Sequence, residues 1–363
     1  MGKYKVCVYA ICKNEEQFVE RWVNSMKEAD EIYVLDTGST DKTVEKLEKL
    51  GVNVTVKTIS PWRFDVARNK SLELVPKDAD ICVCTDLDEV FHNGWREKLE
   101  SVWDDNITRI KYRYTWSFNP DGSEGVVFIS DKIHKRKGYK WVGAVHEVLS
   151  FDNAYGVQKF VLADGVQLDH HPDCTKPRSQ YLPLLELAVE EDPENDRNMH
   201  YLGREYMYYG MWQKSIDTLK KHLSLKSATW KDERCASMRF IAKGYEGLNN
   251  MTEAEKWHLY SIAEAPHLRE PWLDYALFSV DRGEWDLCIW LCNRALNIKE
   301  RSLTYINEAK SYGSLPHDLL SLGYFYTGRY DKALYHIKTA VEFEPQNRRL
   351  QNNLVLIKEK VRN

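Results

Sequence analysis

No apolar run in this chain approaches the roughly 20 residues that a membrane-crossing helix needs. The opening residues, Met1-Gly2-Lys3-Tyr4-Lys5-Val6, do not read as a secretory signal, and Val6 stands where a myristoylation signal wants Ser or Thr. Basic charge is not in excess: a formal net charge of -4 gives no general attraction to nucleic acid or anionic membrane, so any phosphate must be held locally. Paired Cys-x-x-Cys motifs of the zinc type are missing. Cys7, Cys12, Cys82 and Cys84 fall in or beside apolar runs, and Cys288 and Cys292 lie one helical turn apart. They read as small buried residues in a reducing compartment, and a cytoplasmic location is the expectation. Also absent is a Gly-x-Gly-x-x-Gly turn after the first strand. Lys13-Asn14-Glu15-Glu16 stands there and repels a pyrophosphate, which excludes a dinucleotide-dependent oxidoreductase. A nucleotidyltransferase would need a glycine-rich basic loop at the same place, and that is absent too.

What is present is an ordinary globular composition, 43% hydrophobic and 29% charged, in 363 residues, enough for two domains. Twelve Trp and 21 Tyr supply stacking surfaces as well as core. Up to residue 105 the pattern alternates. Strands are predicted over 4–11, 31–35, 53–59 and 79–85, and helices over 15–27, 41–50, 64–74 and 95–103. That order implies a mostly parallel sheet with helices on both faces and a ligand site at the carboxyl ends of its strands. From 108 to 168 four longer strand-like stretches follow (109–118, 125–134, 139–149 and 159–168), read as antiparallel additions at the sheet edge. After His171-Pro172 the chain reads as helical to its end. Four turns recur there at uneven spacing: Tyr209-Gly210-Met211-Trp212, Leu248-Asn249-Asn250-Met251, Arg282-Gly283-Glu284-Trp285 and Thr327-Gly328-Arg329-Tyr330. Each precedes an amphipathic helix, a degenerate tetratricopeptide-like array that stacks helix hairpins and offers a concave surface. The plain alternative is a helical bundle that braces the first domain. The predicted domains are therefore 1–171 (α/β, Rossmann-like) and 172–363 (all-α).

Polar residues cluster where strands give way to helices. Ala10-Ile11-Cys12-Lys13-Asn14-Glu15 follows strand one, Asp36-Thr37-Gly38-Ser39-Thr40-Asp41 follows strand two, and Asp86-Leu87-Asp88-Glu89 follows strand four. Each alone is explained by turn and capping chemistry. Together, at one sheet edge, they outline a nucleotide site. In an extended chain the Asp86 and Asp88 carboxylates lie on one side, with Leu87 on the other. Two hard oxygen donors there suit Mn²⁺ or Mg²⁺ carrying a diphosphate. A carboxylate at Asp36 can accept a uracil N–H, Glu15 can accept from ribose hydroxyls, and the Ala10-Ile11 main chain lies against the base. Arg68 and Asn69 open toward the same edge, where Arg68 can grip base or diphosphate.

The ordered set Ala-Ile-x-Lys-Asn-Glu, Val-Leu-Asp-Thr-Gly-Ser-Thr-Asp, Ala-Arg-Asn and Asp-x-Asp-Glu resembles the glycosyltransferase family two domain of GT-A fold, over residues 4–171. The resemblance implies a nucleotide sugar, usually UDP-linked, with a divalent metal held by the Asp-x-Asp, and inversion at the anomeric carbon. It implies Asp36 and Glu15 as nucleoside contacts and Asp88, with Asp86, at the metal and sugar. His170 resembles the histidine with which many such enzymes complete the metal shell or touch the diphosphate, and a structural histidine is the alternative. Inverting transfer needs a base for the acceptor proton. Glu147, in Trp141-Val142-Gly143-Ala144-Val145-His146-Glu147 on a predicted edge strand, is the first candidate. His146 is second or orients the sugar, and Glu89 is a third.

A GT-A domain followed by tetratricopeptide-like helices is similar to the sublancin-type peptide S- or O-glycosyltransferases. The expectation drawn from this is transfer of one sugar, UDP-glucose being the first donor to try, to a Cys or Ser of a peptide or protein. A thiol acceptor needs less help from a base, since a free pKa of roughly 8.5 leaves some thiolate at neutral pH. A surface glycan or lipid-linked acceptor is the runner-up, and a peptide-binding helical scaffold with an inactive transferase domain is the non-enzyme alternative. The helical half is expected to position the acceptor or to join two copies as a homodimer.

Overall fold

Strand β1 (Val6–Cys12) is apolar on both sides, and its alternation sorts it between two cores. Val6, Val8, Ala10 and Cys12 join Trp22, Met26, Leu47 and Leu99, while Cys7 and Tyr9 join Leu72, Trp141 and Leu149. A strand buried on both faces is the mark of a sheet covered on both sides. The computed structural model describes residues 2–119, 121–173 and 179–362. After β1 come α1 (Val19–Met26), β2 (Glu31–Asp36), α2 (Thr43–Lys49), β3 (Asn53–Val56), α3 (Phe64–Leu74) and β4 (Ile81–Cys84). Then follow β5 (Glu89–Phe91), α4 (Trp95–Val102), β6 (Arg109–Thr115), β7 (Val127–Lys135), β8 (Tyr139–Val142), β9 (Val148–Phe151) and β10 (Phe160–His170).

Eight strands form one sheet in the order β3-β2-β1-β4-β7-β6-β10-β5. β3, β2, β1 and β4 are parallel, and β7 lies antiparallel to β4 and β6. The register pairs Cys12 with Asp36, and Asp36 with Val56, so the first polar junctions leave the sheet at one edge. The later strands depart from expectation in three ways. β10 runs parallel to β6, not antiparallel. The short strand β5, which the sequence pattern hides behind the acidic motif, closes the sheet against β10. The stretch 139–149 is not one edge strand: it breaks into the hairpin β8–β9, a separate two-stranded sheet. Its corner carries Gly143 at φ 106° and His146 at φ 50°, values a continuous strand does not allow.

The chain divides into two compact units, Met1–Ala188 and Val189–Asn363. The helix α5 (Tyr181–Glu191) begins in the first unit, where the Tyr181 ring stacks on Phe64 with centroids 6.2 Å apart. The first unit thus runs past residue 171, where the sequence pattern changes.

The second unit contains α6 (Asp196–Tyr208), α7 (Trp212–Ser224), α8 (Lys231–Gly247), α9 (Met251–Glu264), α10 (Glu270–Asp281), α11 (Trp285–Asn297), α12 (Leu315–Tyr326), α13 (Tyr330–Phe343) and α14 (Arg348–Arg362). All four predicted turns close hairpins, and each places one residue in the left-handed region: Gly210, Asn249, Gly283 and Gly328. In each, the amide after that residue donates back to the carbonyl five residues earlier, as from Met211 to Tyr206 and from Arg329 to Tyr324. Where helices cross closely, glycine makes room: a Cβ on Gly323 would meet Ile289 Cγ1 at 2.7 Å. α6 packs on α8, α8 on α10 and α10 on α12, so the first helices of successive hairpins form one inner row. This is a tetratricopeptide-like array.

Candidate active site

The acidic motif is a turn, not an extended run. The Glu89 amide donates to the Asp86 carbonyl at 3.1 Å, and Leu87 is buried. The two carboxylates therefore meet different partners. Asp86 Oδ1 accepts from Arg68 Nη2 at 2.6 Å, and its Oδ2 lies 3.5 Å from Lys132 Nζ. Burial disfavours the Asp86 carboxylate, but the charges of Arg68 and Lys132 outweigh that and hold its carboxyl below the usual range. Asp88 Oδ2 instead faces His170 Nε2 at 3.3 Å.

Each neighbour is locked in turn. His170 Nδ1 lies 2.9 Å from the Trp116 carbonyl, which can only accept, so Nδ1 carries a proton and Nε2 points toward Asp88. The His170 ring stacks on Trp116 at 4.4 Å, and the following amide, of His171, donates to the Asp88 carbonyl at 2.8 Å. Burial opposes protonation of His170, yet the facing Asp88 carboxylate prevails and raises its pKa. A proton on Nε2 satisfies the Asp88 carboxylate, and with that proton gone Nε2 and Asp88 Oδ2 are the two atoms that would hold a divalent cation. One nitrogen and one oxygen donor suit Mn²⁺, and the oxygen suits Mg²⁺. Among the described residues, a three-donor group with all ligand atoms within 4.8 Å occurs in the second unit, at Asp196, His222 and Glu233.

Arg68 is the hub of the corner. Buried on α3, it also donates through Nε to Glu147 Oε1 at 3.0 Å, so one guanidinium joins Asp86 to Glu147. It grips protein carboxylates here. Asn69 next to it is likewise structural, exchanging two 2.8 Å hydrogen bonds with the backbone of Trp141. His146 and Glu147 sit on the β8–β9 corner, and the His146 ring lies 6.0 Å from that of Tyr181. Glu89 is fully buried, accepting from Tyr114 Oη at 2.7 Å and from the Asp86 amide at 2.8 Å. Burial raises its pKa, with Asp86 and Asp88 adding to the shift against Lys132.

The nucleoside candidates lie along the same strand ends. Asp36 is completely buried and organises its own turn. Oδ1 accepts from the Gly38 and Ser39 amides at 2.9 Å, and Oδ2 from Ser39 Oγ and from Cys12 Sγ. For Asp36 to accept a base N–H, the Ser39 hydroxyl or the Cys12 thiol must give way. The Glu15 amide donates to Thr43 Oγ1 at 2.8 Å, pinning it beside α2. The Ala10 carbonyl accepts from Ser71 Oγ at 2.7 Å, and Ile11 packs with Leu35 and Ala67. The geometry thus joins Asp86, Arg68 and Glu147 in one bonded group and Asp88 with His170 in another, the two carried by the same acidic turn. Asp36, Glu15, Ala10 and Ile11 lie along the ends of the first strands.

Sequence reasoning misses Lys132. On β7 it bridges Asp86 and Glu89, 3.5 Å from each, and the carboxylates raise its pKa against the cost of burial. The strand gives no signal for it: β7 also carries Ser130, Asp131, His134 and Lys135, so one more lysine does not stand out. Trp116, which fixes the His170 tautomer through its carbonyl, is missed because a backbone role leaves no side-chain pattern.

Residues 7–137 match the sequence profile of glycosyl transferase family 2. An uncharacterized glycosyltransferase of Rickettsia bellii (strain RML369-C) is 37% identical over 100 residues, 27% of this chain and 33% of the relative. One of Rickettsia conorii (strain ATCC VR-613 / Malish 7) is 34% identical over 100 residues, 27% and 34% of the two chains. The aligned part covers about a third of the length of these curated relatives. Among solved structures, MamA is similar with a TM-score of 0.37 and 19% identity, over 46% of this chain and 87% of that one. A thermophilic TPR protein of Thermus thermophilus has a TM-score of 0.38 and 17% identity, over 50% and 90%.

Proposed function

We propose that the first unit is a metal-dependent inverting glycosyltransferase that moves a hexose from a UDP-sugar to a Cys or Ser side chain of a peptide or protein. The observation that carries the reading is the convergence of Asp88, within the span of the family match, and His170, beyond it, 3.3 Å apart and beside the Arg68-centred carboxylates. Asp88 and His170 are the residues that would hold Mn²⁺ or Mg²⁺, with Asp86 behind them under the control of Arg68 and Lys132. When bound, the dication neutralises charge developing on the leaving diphosphate. Asp36 and Glu15 serve the nucleoside, against the main chain at Ala10 and Ile11.

Glu147 is the proposed base. Its Oε1 accepts from Arg68 Nε at 3.0 Å, which fixes where the carboxylate stands. A thiol acceptor, with a free pKa of roughly 8.5, needs less help from a base than an alcohol. His146 would orient the sugar. UDP-glucose is the first donor to offer.

Incubation with Mn²⁺, a panel of UDP-sugars and a Cys/Ser peptide library, read by mass spectrometry, tests the assignment. A peptide gain of one hexose that Asp88→Asn abolishes supports it. Equal product from Asp88→Asn, or no turnover and no hydrolysis of any UDP-sugar, refutes it.

A further inference from the structure

The inner row of α6, α8, α10 and α12 is where a tetratricopeptide-like array has room for an extended chain. In this protein the row is already covered, by a piece of its own chain. The connection between α11 and α12, residues 298–314, is longer than the links from α7 to α8 (225–230) and from α9 to α10 (265–269). Instead of passing directly to the next hairpin, it lies across three helices of the inner row. On α6 the Tyr305 ring meets Tyr201, with centroids 5.7 Å apart. On α8 the Tyr305 hydroxyl donates to Glu233, Ile306 packs on the cluster containing Phe240, and Arg239 Nη2 donates to Glu308 Oε1. At α10 the Asn307 amide and the Glu308 backbone N–H both donate to Glu270 Oε1, at 3.0 and 2.9 Å. Arg269 Nη1, at the start of that helix, donates to the Ser311 carbonyl at 3.2 Å.

These contacts have the character of a bound ligand. Most are hydrogen bonds and ion pairs from side chains of successive helices to one short segment, with an aromatic and an aliphatic contact among them. The segment folds as a turn, in which the Asn307 backbone N–H donates to the Thr304 carbonyl at 3.1 Å, followed by a 3-10 helix over Ala309–Tyr312. The groups that meet the strap include the buried charges Arg239 and Glu270, which are costly inside an array unless something polar meets them. Arg239 is held by Asp274 at 2.7 Å and has donors left for Glu308. Glu270 takes both strap bonds on Oε1, while its buried Oε2 has no hydrogen-bond partner among the described residues. Leu303, just before the strap's anchor, is half exposed, which leaves the strap an unburied end from which to peel.

We propose that residues 303–311 are an intramolecular occupant of the inner face, and that the face, once this strap is displaced, binds a peptide of matching chemistry that takes up the same turn. That chemistry is an aromatic hydroxyl, then a carboxamide two residues later and a carboxylate three residues later, as in Tyr305-Ile306-Asn307-Glu308. The inference does not depend on the transfer reaction.

The test uses the full-length chain. Hydrogen exchange of the wild type should show the 303–311 amides opening at least tenfold faster than those of α8 and α10. A fluorescein-labelled peptide of residues 301–313 should bind the double variant Tyr305→Ala/Glu308→Ala at least tenfold more tightly than the wild type, and a scrambled peptide should not. Strap amides that exchange only together with α8 and α10 would make the segment a fixed part of the core and overturn the proposal. So would equal peptide binding by wild type and variant, or by the scrambled sequence. Should the variant fail to fold by circular dichroism, the wild-type exchange alone decides.

Discussion

Replacing Arg68 with methionine keeps most of the side-chain volume and removes the one charge that joins Asp86 to Glu147. Both carboxylates lose a short charge-assisted hydrogen bond, of 2.6 and 3.0 Å, and Glu147 stays largely buried. Removing one partner of a buried ion pair costs about 3–5 kcal/mol, because the remaining charge is left uncompensated. Lys132 lies near Asp86 and relieves part of that burden, so the lower end, about 3 kcal/mol, is expected. In a domain of this size that lowers the melting temperature by roughly 10 °C. Calorimetry of wild type, Arg68→Met, Glu147→Gln and the double variant closes a thermodynamic cycle. The double variant should be less destabilised than the sum of the single ones by at least about 1 kcal/mol, since a neutral amide in place of the Glu147 carboxylate needs no counter-charge. A melting point for Arg68→Met within about 2–3 °C of wild type, equivalent to about 1 kcal/mol, would refute the claim that this guanidinium holds the corner together. So would a cycle that sums to zero.

Other consequences follow from individual groups. His170→Ala and Asp88→Asn should each weaken Mn²⁺ binding in calorimetric titration by tenfold or more, while Asp196→Asn leaves it unchanged; equal affinity in all three would place the ion elsewhere. His134 is buried with Nδ1 toward the Lys135 carbonyl and Nε2 accepting from Tyr9, and burial lowers its pKa to about 3. The unfolded chain then binds its proton first. Stability from this group is complete above pH ~6.5 and is lost as pH falls toward 3, by a few kcal/mol (about 1.4 per unit). Urea unfolding of His134→Gln between pH 6 and 4 should show a flatter acid slope than wild type, and parallel slopes would exclude the effect. Gly323→Val drives a side chain into Ile289 and should destabilise by about 2 kcal/mol in urea unfolding. Gly328→Val, where nothing lies within 4 Å, should cost only its left-handed backbone, about 1–2 kcal/mol.

Much of the fold is written in periodicity. The apolar runs before Lys13 and Asp86 sit centrally in the sheet, and α3 begins and ends where its spacing places it, because burial on one face leaves little freedom. The four hairpin turns are legible because a left-handed residue is a local demand that Gly or Asn meets. The acidic motif is legible in composition but not in shape. Asp-x-Asp reads as a strand end, whereas the short β5 on its far side forces a turn that sends Asp86 to Arg68 and Asp88 to His170. The 139–149 stretch likewise reads as one strand, since its alternating apolar residues conceal a corner set by Gly143 and His146. Neither Lys132 nor the Trp116 carbonyl is visible in sequence, because each acts through a partner far along the chain.

The bracket that Asn69 throws around Trp141 has a mechanical result. Arg68 and Asn69 are neighbours on one helix, so the same turn of α3 clamps the β8–β9 hairpin through one residue and the acidic turn through the other. The hairpin and the acidic turn thus share one anchor, and a shift of that helical turn displaces both together.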